Sequence, residues 1–245
     1  MREAAVGHQC VECVSAGART VRQPRPAFGP RGSRTPVITY ALIAINVLVF
    51  VAENASRQVQ PLLALWSPAV ADGQYYRLVT SAFLHYGILH LLFNMWALYV
   101  VGPGLEAWLG RLRFTTLYAL SALGGAVLVY LLAPLNAATA GASGAIFGLF
   151  GATFVVAKRV NLDVRWVVIL IAINLVITFA VPGISWQGHV GGLLTGSAIA
   201  AVYAYAPADR RAALQVQAGA SIALLVVFAV LIWWRTAALL TLAGA

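Results

Sequence analysis

The chain holds seven apolar stretches in which charged side chains hardly occur, near residues 37–54, 77–101, 113–134, 142–158, 165–182, 187–206 and 213–234. A helix needs about 20 apolar residues to cross the hydrocarbon core of a bilayer, and every backbone N–H and C=O must find its partner inside the segment. Stretches of about that length, repeated seven times, predict an all-α fold: a polytopic transmembrane helical bundle of about seven spans. Composition agrees. Charged residues make up 9% of the 245 positions, whereas a soluble domain carries about 25%. The second stretch is interrupted by His85, Tyr86, Gly87 and His90, so its first part is expected to be irregular or to lie at the surface. The connection from Glu53 to Arg77 mixes Trp66, Pro68, Asp72, Tyr75 and Tyr76, which suits a segment lying in the membrane interface.

The net charge of +9 comes from 16 basic against 7 acidic residues. The basic residues are scattered between the apolar stretches and form no aromatic-interleaved patch, so nucleic acid is not an expected partner. Their distribution has a simpler reading. With the N-terminus on the cytoplasmic side, the tail arginines (Arg2, Arg19, Arg22, Arg25, Arg31, Arg34) and Arg111, Arg113, Lys158, Arg159, Arg165, Arg210 and Arg211 share that side. Only Arg57, Arg77 and Arg235 fall on the other. This asymmetry predicts a cytoplasmic N-terminus, an external C-terminus and an odd number of spans. Residues 1–36, with Pro24, Pro26, Pro30 and Pro36, are expected to form a flexible basic tail. The prolines and the acidic Glu3 and Glu12 argue against a transit peptide, and no short apolar region with a cleavage site marks a signal peptide. The two cysteines, Cys10 and Cys13, lie in this tail beside His8. They resemble half of a zinc knuckle, but zinc takes four ligands and at most three are present, so a disordered remnant is the preferred reading over a metal site.

Inside a bilayer a polar side chain is costly and needs a reason. His85, His90 and His189 lie within apolar stretches, and Asn94 follows His90 at i+4, on the same helix face. Ser143 opens the fourth stretch in Gly141-Ala142-Ser143-Gly144. Gly141 and Gly144 permit a sharp bend, and amides at a helix N-terminus can hold an oxyanion. The same glycines, continuing through Gly148 and Gly151, also suit a plain packing seam with Ser143 as one of its small residues. His189 shares a helix face with Gly192 and Gly196, a stripe that lets another helix approach while an imidazole points at it. It reads equally as a general base or as a buried histidine satisfied by a hydroxyl or a carbonyl. His90 and Asn94 can hold a developing negative oxygen, or act as interhelical glue. No HExxH occurs, which leaves a zincin-type metalloprotease unsupported. No paired aspartates lie in the spans and no carboxylate lies near His189, so a Ser–His pair without a third member is the natural catalytic reading.

Taken together, His90-Leu91-Leu92-Phe93-Asn94 in the second span, Gly141-Ala142-Ser143-Gly144 opening the fourth, and Gly188-His189 with Gly192 and Gly196 in the sixth resemble the rhomboid intramembrane serine proteases. Tyr76-Arg77 before the second span and Glu106-Ala107-Trp108-Leu109-Gly110 after it are similar to family elements too. The likeness runs over about residues 37–207. It implies a six-span catalytic core there, of bacterial type, with residues 208–245 adding a C-terminal transmembrane helix. It implies Ser143 as nucleophile, His189 as general base, and His90, Asn94 and the Ser143 N–H as the oxyanion site. Phe147 would pack on the His189 ring, Gly192 and Gly196 would bring the sixth span against the fourth, and loop 181–187 with Pro182 and Trp186 would cap the site. Hydrolysis would pass through an acyl-enzyme on single-span membrane protein substrates in the lipid bilayer, near its outer face, with no metal, nucleotide or other cofactor. The competing readings are a catalytically silent relative that binds membrane helices, a transporter or channel with a histidine-lined path, and haem ligation by paired histidines.

Overall fold

A computed structural model describes residues 35–243 together with residues 2–3, 8–10 and 12. Near the N-terminus β1 (Arg2–Glu3) pairs antiparallel with β2 (His8–Gln9). This ladder runs against the expectation of a tail without regular structure. The rest of the tail, Cys13 included, lies outside the described residues, and so does the knuckle-like reading.

The main body is helical. α1 (Val37–Ala55) starts directly after Pro36. An α-helix leaves its first N–H groups without internal partners, and here a side chain from another helix supplies them. The buried Glu106 carboxylate accepts from the N–H of Ile38 at 3.0 Å, the N–H of Thr39 at 2.9 Å and the Thr39 hydroxyl at 2.8 Å. A negative charge at a helix N-terminus also complements the helix dipole.

Residues 56–83 fold into a platform: α2 (Val59–Leu63), β3 (Leu65–Trp66), α3 (Ser67–Ala71), α4 (Arg77–Thr80) and a 3-10 turn (Ser81–Phe83). β3 pairs antiparallel with β4 (Ala138–Thr139). The platform is held by Arg77, whose buried guanidinium donates to the carbonyls of Pro61 (2.8 Å) and Ala64 (2.7 Å) and to the Gln74 side chain (2.8 Å). A buried cation whose donors are filled in this way fixes the chain around it.

The second long helix, α5 (Ile88–Leu109), starts eleven residues after Arg77, the interrupted first part of the stretch folding apart from it, and ends eight residues beyond Val101. The late start follows from Gly87, whose φ of +137° breaks the helix there. The late end runs through Pro103, which sits inside the helix. A proline in a transmembrane helix is tolerated where neighbours re-satisfy the backbone. α6 (Arg111–Leu132) follows after Gly110 alone. Next come α7 (Ser143–Arg159), α8 (Arg165–Ala180), α9 (Trp186–Ala204) and α10 (Arg210–Ala243), the last extending past the expected end near 234.

α7 is the hub, packed most closely against α9 and α6. Nine consecutive residues, Ala145 to Thr153, are buried, as expected of a helix apolar on every side. The outer helices are the reverse. Leu48, Phe93, Val176, Phe179 and Trp233 are each at least 65% exposed, an apolar surface too extensive for water. Among the described residues, four helices are long and apolar enough to cross a membrane: Val37–Ala55, Ile88–Leu109, Arg111–Leu132 and the Arg210–Thr241 part of α10. The chain is thus a multi-pass membrane protein built as a helical bundle.

Candidate active site

Ser143 is the first residue of α7, and its position depends on the loop before it. Gly141 has φ +141° and donates its N–H to the Ser81 carbonyl at 2.9 Å. A Cβ at Gly141 would stand 2.9 Å from His90 Cε1, 3.0 Å from His90 Nε2 and 3.4 Å from the Ser143 hydroxyl oxygen. Glycine is therefore needed here twice, for the backbone angle and for the space between the serine and the histidine. The first-turn amides of α7, starting with Ser143, are those an α-helix leaves without internal partners.

His90 and Asn94 lie one turn apart on α5 and face the same cavity. The His90 Nδ1 accepts from the Tyr86 N–H at 3.4 Å. A neutral ring accepting at Nδ1 carries its proton on Nε2, the nitrogen nearest the Gly141–Ser143 turn. The Asn94 amide spends one hydrogen on the His90 carbonyl at 2.9 Å and keeps a second. His85, in the turn before α5, packs edge-on against His90 with ring centroids 5.1 Å apart. Its own ring nitrogens are buried without hydrogen-bond partners, and burial, reinforced by the nearby His90, pushes its pKa down to about 4.

His189 is in the first turn of α9, whose start is capped by the Ser185 hydroxyl accepting from the Gly188 N–H at 3.3 Å. Its ring stacks on Phe147 with centroids 4.1 Å apart and 13° between planes. Phe147 follows Ser143 by one helical turn, so this stack sets the imidazole beside the serine's helix. The approach of α9 to α7 is close enough to require glycine. A Cβ at Gly192 would overlap the Gly144 carbonyl, and one at Gly196 would overlap the Gly148 backbone. At Gly144 the fit is looser, with 3.2 Å to the Gly188 carbonyl.

Ser143, His189, His90, Asn94, Gly141, Gly144 and Phe147 all line one cavity of about 690 Å³. Gly192 and Gly196 sit behind it, in the α7–α9 contact. No direct hydrogen bond joins Ser143 to His189. In unliganded sites such bonds are often long and tighten around substrate. Pro182, Gly183, Ile184 and Ser185 cover one end of the cavity. On the lipid side it is bordered by Phe93 and Trp96 of α5 and by Leu170 and Ile177 of α8. Among the described residues no cluster of three or more His, Cys, Asp or Glu side chains could hold a metal ion.

One residue that touches the site escaped the reading of the sequence. The Thr178 hydroxyl, on α8, lies 2.7 Å from His189 Nδ1. Its signal was present: Asn174 and Thr178 are polar residues at i, i+4 in an otherwise apolar stretch, the same pattern that singled out His90 and Asn94.

A family model described as the rhomboid domain matches residues 72–206. The chain is 36% identical over 172 residues to the rhomboid protease GluP of Bacillus subtilis, a match covering 66% of this chain and 34% of that protein. It is also 36% identical over 169 residues to the putative rhomboid protease YdcA of the same organism, covering 66% of this chain and 85% of that one. A further match, 28% identical over 205 residues and 78% of each chain, is to rhomboid-like protease 3 of Toxoplasma gondii. The chain thus spans about a third of GluP but most of YdcA. Ser143, His189, His90 and Asn94 all fall inside the residues that the domain matches.

Proposed function

The chain belongs to the rhomboid family, and from this we propose that it is an intramembrane serine endopeptidase in which Ser143 and His189 carry the reaction. One observation supports this most: a serine at a helix N-terminus and an imidazole clamped by Phe147 line one cavity within a membrane bundle. An activated serine needs a base within reach and donors for the oxygen that becomes negative.

The Ser143 oxygen attacks the scissile carbonyl carbon while its proton passes to His189 Nε2. The tetrahedral oxygen is held by His90 Nε2–H, the Asn94 amide and the Ser143 N–H. The C–N bond then breaks, the leaving amine takes the proton from His189, and an acyl-enzyme remains. Water, losing a proton to His189, attacks the ester. The new acid departs, and Ser143 regains its proton.

Substrates of this reading are single-span membrane proteins that enter from lipid between α5 and α8. They are cut near the external face, where the chain can leave its helix. The arginine asymmetry supports this orientation, with α1 entering from the cytoplasm and α10 ending outside. Reconstituted in liposomes, the protein should cleave a transmembrane substrate. Ser143→Ala and His189→Ala should each lose at least about 1,000-fold in rate. Equal cleavage by Ser143→Ala would overturn the assignment, and a folded wild type that binds helices without cutting them would favour the silent relative.

A further inference from the structure

α8 is a sparsely buried helix: only Val167 and Thr178 are buried along its sixteen residues. The one buried polar side chain on it lies against the ring that, on the function proposed above, serves as general base. We infer that Thr178 is a positioning residue that sets the tautomer and in-plane orientation of His189.

The assignment follows from counting protons. The Thr178 hydroxyl oxygen is 2.7 Å from His189 Nδ1 and 2.7 Å from the Asn174 carbonyl. A hydroxyl has one hydrogen and two lone pairs, whereas a carbonyl can only accept. The arrangement that satisfies every group sends the Thr178 hydrogen to Asn174 O and leaves a lone pair facing the ring. His189 must then carry its hydrogen on Nδ1, and the neutral ring keeps its lone pair on Nε2. That is the nitrogen free to take the Ser143 proton.

The Phe147 stack fixes the plane of the ring but not which edge of it faces the serine, because a flip by 180° about χ2 leaves the stack unchanged. The Thr178 bond removes that freedom. In a triad this duty falls to a carboxylate, but the residues lining this cavity include no Asp or Glu. When His189 becomes an imidazolium, its Nδ1–H donates along a chain through Thr178 to the Asn174 carbonyl. Polarisation along such a chain strengthens each bond in it. His90 has the opposite arrangement. Its Nδ1 accepts, so its Nε2 donates. The two histidines are thus set as opposite tautomers, one as base and one as donor.

The test compares Thr178→Val, which keeps the shape without the hydroxyl, and Thr178→Ser, which keeps the hydroxyl, with wild type and Ser143→Ala in the same liposomes. Thr178→Val should lose roughly 10- to 100-fold in kcat with KM changed less than about twofold, as for other groups that orient a working histidine. Thr178→Ser should recover to within about threefold of wild type. Imidazole 15N shifts of His189 should report Nδ1–H in wild type and Thr178→Ser, and a mixture of tautomers in Thr178→Val. Thr178→Ala carries the same comparison should the valine not fold. Wild-type kcat together with an unchanged tautomer in Thr178→Val, beside an inactive Ser143→Ala, would overturn the inference and leave the proposed function standing. Full activity in Ser143→Ala would overturn the proposed function, while the 15N shifts would still decide the tautomer.

Discussion

Several of the polar side chains in this bundle are tied to a named partner or line the cavity, so single substitutions should have readable effects. Gly192 offers a test in which two terms have opposite sign. Alanine raises helix propensity by about 1 kcal/mol over glycine, but a Cβ at Gly192 would overlap the Gly144 carbonyl. Overpacking costs about 1–3 kcal/mol, so Gly192→Ala should lower the thermal midpoint in detergent and depress cleavage. A raised midpoint would mean that α9 and α7 are not in backbone contact. His85 offers a test by pH. Its folded pKa, about 4, is below the usual 6.5, so the unfolded chain binds the proton first. The stability this neutral ring confers is fully present above pH 6.5 and is lost as pH falls from there through about 4. His85→Phe should keep stability at neutral pH, since it removes no hydrogen bond, and should flatten the pH dependence in that window. An unchanged slope between thermal scans at pH 7 and pH 5 would place the titration on another group.

At the scale of elements, Glu106 and α1 form a separable unit. The carboxylate fills two backbone N–H groups and one hydroxyl at the start of α1. Glu106→Ala would leave these donors unpaired, the two on Thr39 buried, at about 2–3 kcal/mol. It should speed hydrogen exchange over residues 37–41 before it affects α7 or α9. Equal protection of α1 in both proteins would contradict this. The Glu106 segment was legible in the sequence as a family-like element, but its partner was not, since 67 residues separate it from Thr39. Element existence was readable because apolar length is a strong signal. Ends were not. Gly102-Pro103-Gly104 reads as a stop in water, yet α5 runs through it, packed so that a Cβ at Gly102 would touch Thr39 at 2.7 Å. Thr178 was missed for a related reason: a threonine in an apolar stretch passes for filler unless its turn-mate Asn174 is weighed with it.

The whole molecule is a buried hub, α7, ringed by helices whose outer faces are apolar and exposed. That arrangement places the candidate site inside the bundle, and it ties function to orientation. Exposed Arg57 and Lys158 lie on opposite sides in the proposed topology. In a cysteine-free background, Arg57→Cys should react with an impermeant thiol reagent added outside intact cells. Lys158→Cys should react only after lysis. The reverse pattern would invert the bundle. α10 is joined to this body by polar contacts that a lipid-facing addition does not need. Tyr130 and Thr236 share a hydrogen bond at 2.8 Å, and Arg113 donates to Gln217 at 2.9 Å. The central claim concerns Ser143, and labelling of the purified protein by a fluorophosphonate probe tests it most directly. Wild type should become labelled, while Ser143→Ala and His189→Ala, folded in the same detergent, should not. Equal labelling of Ser143→Ala, or none of a folded wild type that also leaves a transmembrane substrate intact, would contradict an activated serine at the head of α7.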